Sequence, residues 1–322
     1  MNFKNRSSER FFFTNNSMNP HLLSINDLSV SDIYHLFNQA QYFKTHDTDS
    51  IDKVLYGKTV VLAFFEASTR TRISFEIACK RLGAHTIIFQ SNGSSVSKGE
   101  SLIDTVHTLN QMHIDMWVVR HPHSGAAEII CNNVKGHVVN AGDGQNQHPT
   151  QALLDAFTLY KHYGNIQEKK ITIVGDILHS RVARSSIQLF QKLGLEVGIC
   201  SPGIFIPKNI KHWNVRFFSR LSEALEWTDI VSMLRVQKER MQDLSHLNLQ
   251  DYPKYFGLTN TMLEQYSDLI VLHPGPANYG MEIQEGIMNN PRVLIREQVN
   301  NGLHIRMAVL SSLITNHSLQ ER

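Results

Sequence analysis

Cysteine is scarce in this sequence. The 322-residue chain carries three, Cys79, Cys131 and Cys200, with no CxxC pair and no short-spaced Cys/His set, which argues against a disulfide framework and a structural zinc site. Apolar runs such as Val60 to Phe65 are short, far below the ~20 residues that span a bilayer, so no membrane partner is expected. Charge of one sign is not in excess either: 31 Lys and Arg against 29 Asp and Glu leave a net charge of +2. A nucleic-acid partner is therefore not expected, and any anion must be met by local clusters of cations. Repeats of 20 to 50 residues and low-complexity tracts are missing, which removes solenoids and propellers. Neither GxGxxG nor GxxxxGK[ST] occurs, against a dinucleotide fold or a P-loop. The opening MNFKNRSSERFFFTNNS has no apolar core long enough for a signal peptide. Residues 1–17 read as a flexible extension of a cytoplasmic chain.

Hydrophobic residues make up 42% and charged residues 19%, the balance of an ordinary globular protein with length for two domains of ~150 residues. From Leu55 onward, short β-rich runs alternate with segments of helical period, which predicts parallel sheets covered by helices. The expected strands of the first half are Thr59–Phe65, His85–Phe89, Asp115–Val119 and Val138–Asn140. Those of the second are Ile171–Val174, Val197–Ser201, Val215–Phe217, Ile230–Leu234 and Leu269–Leu272. Between them, Leu153, Leu154, Phe157 and Leu159 recur at helical spacing from Pro149 to Tyr163, with Gly164 as the stop, which predicts a helix joining the halves. Leu303, Met307, Leu310, Leu313 and Ile314 predict a closing helix from Gly302 to Leu319. The expected fold class is α/β, two doubly wound parallel-sheet lobes joined by helices, with the active site in the cleft beyond the C-terminal strand ends.

Polar motifs follow several of these strands. Glu66-Ala67-Ser68-Thr69-Arg70-Thr71-Arg72 leads into a helix, a turn whose unpaired N–H groups and helix dipole suit an anion. Hydroxyls of Ser68, Thr69 and Thr71 add donors, and Arg70 adds a planar fork that matches phosphate. The same residues also fit a plain Ser68 N-cap followed by solvated arginines. Ser94, Ser95 and Lys98 sit in a polar, glycine-bracketed loop, which fits either an ordinary exposed loop or one that closes over a substrate. Arg120 follows a strand end. His148 follows another, beside amide side chains at a crevice mouth, where a neutral imidazole suits a carbonyl oxygen developing negative charge. In the second half Arg181 and Arg235 follow two strands of one expected sheet, fitting either a clamp for a small diacid or surface ion pairs. His273-Pro274-Gly275-Pro276 ends a strand in a turn whose carbonyls suit an amine or amide.

Taken in order, FFEASTRTRISFE, SSVSKGES, VVRHP, NAGDGQNQHPTQALLDAFT, GDILHSRVARS, RVQKERM and LHPGPANYGMEI resemble the motif series of aspartate carbamoyltransferase catalytic chains, within the aspartate/ornithine carbamoyltransferase superfamily. The likeness runs from about Met18 to the C-terminus. RVQKER and HPGP favour aspartate over ornithine enzymes, which usually carry a Cys-containing HCLP motif. The resemblance implies a carbamoyl-phosphate lobe, 18–149 plus the closing segment 301–322, and an aspartate lobe, 150–300. It implies that Ser68, Thr69, Arg70, Thr71 and Arg120 hold the phosphate, that Thr71, Arg120 and His148 meet the carbonyl oxygen, and that Gln151, Gly275 and Pro276 receive the carbamoyl nitrogen. Arg181, Arg235 and Gln237 would hold the aspartate carboxylates, with Lys98 and Ser94 or Ser95 reaching in from a neighbouring chain of a homotrimer. Carbamoyl phosphate carries its own leaving group, so neither cofactor nor metal is expected. A regulatory chain or a dihydroorotase partner stays open, as do an ornithine-type enzyme and a catalytically silent phosphate-binding scaffold. One departure stands out: many relatives carry Arg shortly after the second Pro of HPGP, whereas Ala277-Asn278-Tyr279 has none, which predicts weaker domain closure.

Overall fold

The computed structural model describes residues 18–90, 101–236 and 249–317. The extension 1–17, Ser94, Ser95, Lys98 and Gln237 lie outside the described residues. In chain order the elements are α1 (Val30–Thr45), β1 (Thr59–Phe64), α2 (Thr69–Arg81), β2 (His85–Gln90), α3 (Leu102–Asn110), β3 (Met116–His121), α4 (Ala126–Cys131), β4 (His137–Asp143) and α5 (Pro149–Tyr163). They continue as β5 (Lys170–Val174), α6 (Arg181–Lys192), β6 (Glu196–Cys200), β7 (Arg216–Phe218), α7 (Leu221–Trp227), β8 (Ile230–Met233), α8 (Tyr252–Phe256), α9 (Asn260–Gln265), β9 (Ile270–Leu272) and α10 (Ile295–His317).

Two parallel sheets result, ordered β2-β1-β3-β4 and β7-β6-β5-β8-β9. Helices cover both faces of a parallel sheet, so its central strands are apolar on both sides. Val60, Val61, Leu62 and Ala63 accordingly are all buried. The order of the first sheet reverses between β1 and β3, and that of the second between β5 and β8. Ligands of doubly wound folds lie at such switch points, outside the strand C-termini. Glu66 to Thr71 follow β1, Arg120 stands at the C-terminal end of β3, and Arg181 and Arg235 follow the second pair.

One hydrophobic core runs through both lobes, taking in Phe37 of α1, Phe157 of α5, Phe190 of α6 and Leu310 of α10. The joining helix α5 has the expected bounds, with Pro149 at its start and Gly164 capping it at φ +75°. Every residue from Pro149 to Leu159 is buried, because α5 is packed on all sides. The closing helix begins earlier than expected, at Ile295 rather than Gly302. Its first two turns are polar, which hides the helical period, and Gly302 sits inside the helix. A Cβ there would stand 2.9 Å from Arg306 Nη1 and 3.0 Å from Leu154, so a larger residue would press on both side chains. Among the described residues no helix is long and apolar enough to cross a membrane.

Candidate active site

A cleft of about 470 Å³ opens between the strand ends of the two sheets, lined by residues of both and by α5 and α10. On one wall is the β1–α2 turn. Ser68 occupies the N-cap of α2 but makes no side-chain cap hydrogen bond, and it lines the cleft. The first turn of α2 holds no acidic residue. Arg70 stands there instead, against the usual preference for anions at a helix N-terminus. Partial burial, and Arg235 across the cleft, hold its guanidinium below the ordinary arginine pKa. Arg70 lies over the backbone of Gly275, where a Cβ would come within 2.6 Å of Nη1 and φ is +63°. The positive φ favours glycine at 275, and a Cβ there would push the Arg70 guanidinium aside.

Arg120 and Arg181 converge from opposite lobes on one carboxylate. Arg120 Nη2 donates to Glu66 Oε1 at 2.9 Å. Arg181 Nη2 donates to the same oxygen at 2.6 Å and Nη1 to Oε2 at 3.3 Å. Arg235, partly buried, lines the same cleft. With Arg306 on the floor, five arginines and one carboxylate face a space of small-ligand size, a field suited to a polyanion.

His148 is buried rather than at a mouth, at the N-cap of α5. Its backbone N–H donates to Ser185 Oγ at 2.8 Å, tying α5 to α6. Burial first, then Arg120, Arg181 and Arg306, hold its imidazole well below the usual pKa, so it is neutral at pH 7. Nδ1 is buried without a hydrogen-bond partner among the described residues. Gln151, one turn on, donates from Nε2 to Asp155 Oδ1 at 2.9 Å. From the other lobe, the 273–276 turn closes the cleft, its Gly275 N–H donating to His273 Nδ1 at 2.7 Å. Where the departing motif lacks arginine, Asn278 N–H donates to Glu282 Oε1 at 2.6 Å, and Tyr279 is exposed. The turn is thus ordered by its own carboxylate. Among the described residues no cluster of three His, Cys, Asp or Glu is arranged to hold a metal ion.

Ser68, Thr69, Arg70, Thr71, Arg120, His148, Gln151, Arg181, Arg235, Gly275 and Pro276 therefore line one cleft, and the remaining expected residues fall outside the described segments. Comparison with known proteins matches the chain in two parts. The family model for the carbamoyl-P binding domain of aspartate/ornithine carbamoyltransferase matches residues 20–161, and that for the Asp/Orn binding domain matches 167–313. The chain belongs to the aspartate/ornithine carbamoyltransferase family. Within this family it is 49% identical over 292 residues to the aspartate carbamoyltransferase catalytic subunit of Gemmatimonas aurantiaca, covering 90% of this chain and 92% of that one. The catalytic subunit from Campylobacter fetus is 46% identical over 300 residues, covering 92% and 96%. Among solved structures, aspartate transcarbamoylase from Trypanosoma cruzi in complex with N-(phosphonacetyl)-L-aspartic acid superposes with a TM-score of 0.84 at 29% identity, covering 93% of this chain and 97% of that one. The catalytic subunit of M. jannaschii aspartate transcarbamoylase gives 0.82 at 33% identity, covering 93% and 99%.

Four residues around the carbamoyltransferase-family cleft were not singled out from sequence: Glu66, Asp155, Gln298 and Arg306. Two of them left a trace, as charges inside otherwise apolar helical stretches: Asp155 between Leu154 and Ala156, and Arg306 between Ile305 and Met307. Both are buried. Burial pushes the Asp155 carboxyl up to about 7, against hydrogen bonds from Gln298 and Gln151 and the charge of Arg306. Burial likewise lowers Arg306 to about 10. The unfolded chain releases the Asp155 proton near 3.8 and the folded chain near 7, so this group's contribution to stability falls as pH rises across that interval. Asp155→Asn is expected to gain several degrees of melting temperature over the parent at pH 8 and much less at pH 5, read by thermal melts of both proteins. An equal difference at the two pH values would contradict the assignment.

Proposed function

We propose that this chain transfers the carbamoyl group of carbamoyl phosphate to the α-amine of L-aspartate, giving N-carbamoyl-L-aspartate and phosphate, a committed step toward pyrimidines in the cytoplasm. The observation that carries this is the pairing of an acid-free helix N-terminus bearing Arg70 with Arg181 and Arg235, which follow strands of the other sheet. A phosphate suits the first wall and a dicarboxylate the second. Ornithine offers one carboxylate and a cationic side chain, which leaves the second arginine facing a like charge.

In this reaction the amine attacks the carbamoyl carbon, a C–N bond forms, and the C–O bond to phosphate breaks with its electron pair. The amine proton leaves with the phosphate. Ser68, Thr69, Arg70, Thr71 and Arg120 hold the phosphoryl oxygens throughout. Thr71, Arg120 and neutral His148 donate to the carbonyl oxygen as it gains charge, the step where fixed donors contribute most. Gln151 and the carbonyls of the 274–276 turn accept from the carbamoyl NH₂. Arg181, Arg235 and Gln237 orient the aspartate so that its amine meets the carbon within reacting distance. The carbamoyl-phosphate lobe is 18–149 with 301–322, and the aspartate lobe is 150–300.

A colorimetric ureido assay of the purified chain tests the proposal. Product with aspartate and none with ornithine is expected; preference for ornithine, or no turnover with either amine, would overturn it.

The active assembly is proposed to be a homotrimer in which Lys98 and Ser94 or Ser95 complete a neighbour's site. Mixing inactive Lys98→Ala and His148→Ala chains under subunit exchange is then expected to recover about a quarter of parental activity, because mixed trimers rebuild one native site each. No recovery after confirmed exchange would place Lys98 and His148 in the same chain's site.

A further inference from the structure

We propose that Asp155 is a positioning residue for donor selectivity: by accepting two side-chain amides on one oxygen, it makes the carbamoyl-nitrogen end of the cleft an all-acceptor surface that selects an acyl phosphate bearing NH₂. The inference rests on the carbamoyl-transfer reading above and adds the origin of its selectivity. Asp155 itself does not line the cleft, whereas Gln151 and Gln298 do. Gln151 Nε2 donates to Asp155 Oδ1 at 2.9 Å, and Gln298 Nε2 donates to the same atom at 2.7 Å. An amide whose NH₂ is committed in this way must present its carbonyl oxygen at the other end.

For Gln151 that oxygen is the end available to a ligand. For Gln298 it accepts the His273 N–H at 3.0 Å. The His273 ring in turn accepts the Gly275 N–H on Nδ1, and Pro274 and Pro276 have no N–H. Every donor of the 273–276 backbone is thus engaged or missing, and carbonyls alone remain to face the substrate. One carboxylate oxygen sets the polarity of both the Gln151 amide and, through Gln298, the turn. Asp155 Oδ2 has no hydrogen-bond partner among the described residues, so a proton taken up there leaves Oδ1 an acceptor. A methyl group in place of the carbamoyl NH₂ would leave these acceptors unpaired, the situation in which discrimination is largest.

The test compares kcat/KM for carbamoyl phosphate and acetyl phosphate in the full chain at saturating aspartate. With acetyl phosphate the same amine forms a C–N bond to the acetyl carbon, phosphate leaves with its electron pair and the amine proton, and N-acetylaspartate results. Where that turnover is too slow, the inhibition constant of acetyl phosphate against carbamoyl phosphate is read instead. Asp155→Ala frees Gln151 to turn its NH₂ into the cleft and is expected to lower the preference for carbamoyl phosphate roughly tenfold or more. Asp155→Asn keeps a carbonyl oxygen at the position of Oδ1 and should retain the preference within about threefold. Inorganic phosphate affinity and melting temperature report the fold of each variant, and Asp155→Leu, of closer volume, stands in if the alanine chain does not fold. An unchanged preference in the variant lacking an acceptor, or an equal loss in Asp155→Asn, would overturn the role of Asp155. A parent chain that does not turn over carbamoyl phosphate at all would instead overturn the reading on which it rests.

Discussion

Arg70→Ala is expected to lower kcat/KM for carbamoyl phosphate by roughly 10²–10³-fold while its melting temperature stays level or rises slightly. The two effects have opposite signs because the guanidinium sits where the protein alone does not favour it. It stands at a helix N-terminus, which disfavours cations, and both partial burial and Arg235 depress its pKa. Its neighbours among the described residues include the Gly275 backbone, over which it lies. A phosphoryl charge ~4 Å away is worth ~4 kcal/mol at an effective dielectric near 20, and each ~1.4 kcal/mol is tenfold in rate. Arg70→Lys restores the charge without the fork and is expected to recover part of the loss. Near-normal turnover together with a lowered melting temperature would make Arg70 a structural residue and remove it from the site.

At Arg181 the expected loss is directed at the other substrate. Arg181→Ala should lower kcat/KM for aspartate by roughly 30- to 100-fold, with phosphate affinity held within about threefold, toward the low end of the about 2–5 kcal/mol that truncating one member of a desolvated charge pair costs. The effect is set below that of Arg70 for a physical reason. Without ligand, Arg181 is already paired with Glu66 at 2.6 Å, so an incoming carboxylate exchanges one acceptor for another. Glu66 keeps Arg120 at 2.9 Å when Arg181 is truncated, so no carboxylate is stranded and the fold should persist. Glu66→Gln, combined with Arg181→Ala in a double-mutant cycle, should show coupling of about 0.5–3 kcal/mol in aspartate binding. Additive effects would place the two side chains in separate roles.

Much of the architecture was legible in the sequence because parallel strands buried on both faces read as apolar runs, and Pro149 and Gly164 punctuate the joining helix. Strand ends were less so: β4 runs on to Asp143, past the expected Asn140, since its C-terminal residues serve the cleft and break the apolar pattern. The closing helix was read late for a related reason, its polar first turns carrying Gln298 toward the cleft. Residues presented by a local motif, such as Ser68 to Thr71, could be picked out from neighbouring sequence alone. Glu66, Asp155, Gln298 and Arg306 could not, because their roles arise between distant elements. Glu66 meets Arg181 across 115 residues, and Asp155 meets Gln298 across 143. Fold-level contacts of that range leave only a buried charge in an apolar stretch as their mark.

The most direct measurement is a crystal structure of the chain with N-(phosphonacetyl)-L-aspartate, which joins a phosphonate to a dicarboxylate in one molecule. The phosphonate is expected on the 68–71 turn and Arg70, the central carbonyl beside Thr71, Arg120 and His148, and the two carboxylates on Arg181 and Arg235. A ligand bound outside the interlobe cleft, or seated there with its phosphonate on Arg181 and Arg235, would contradict the assignment of the two walls.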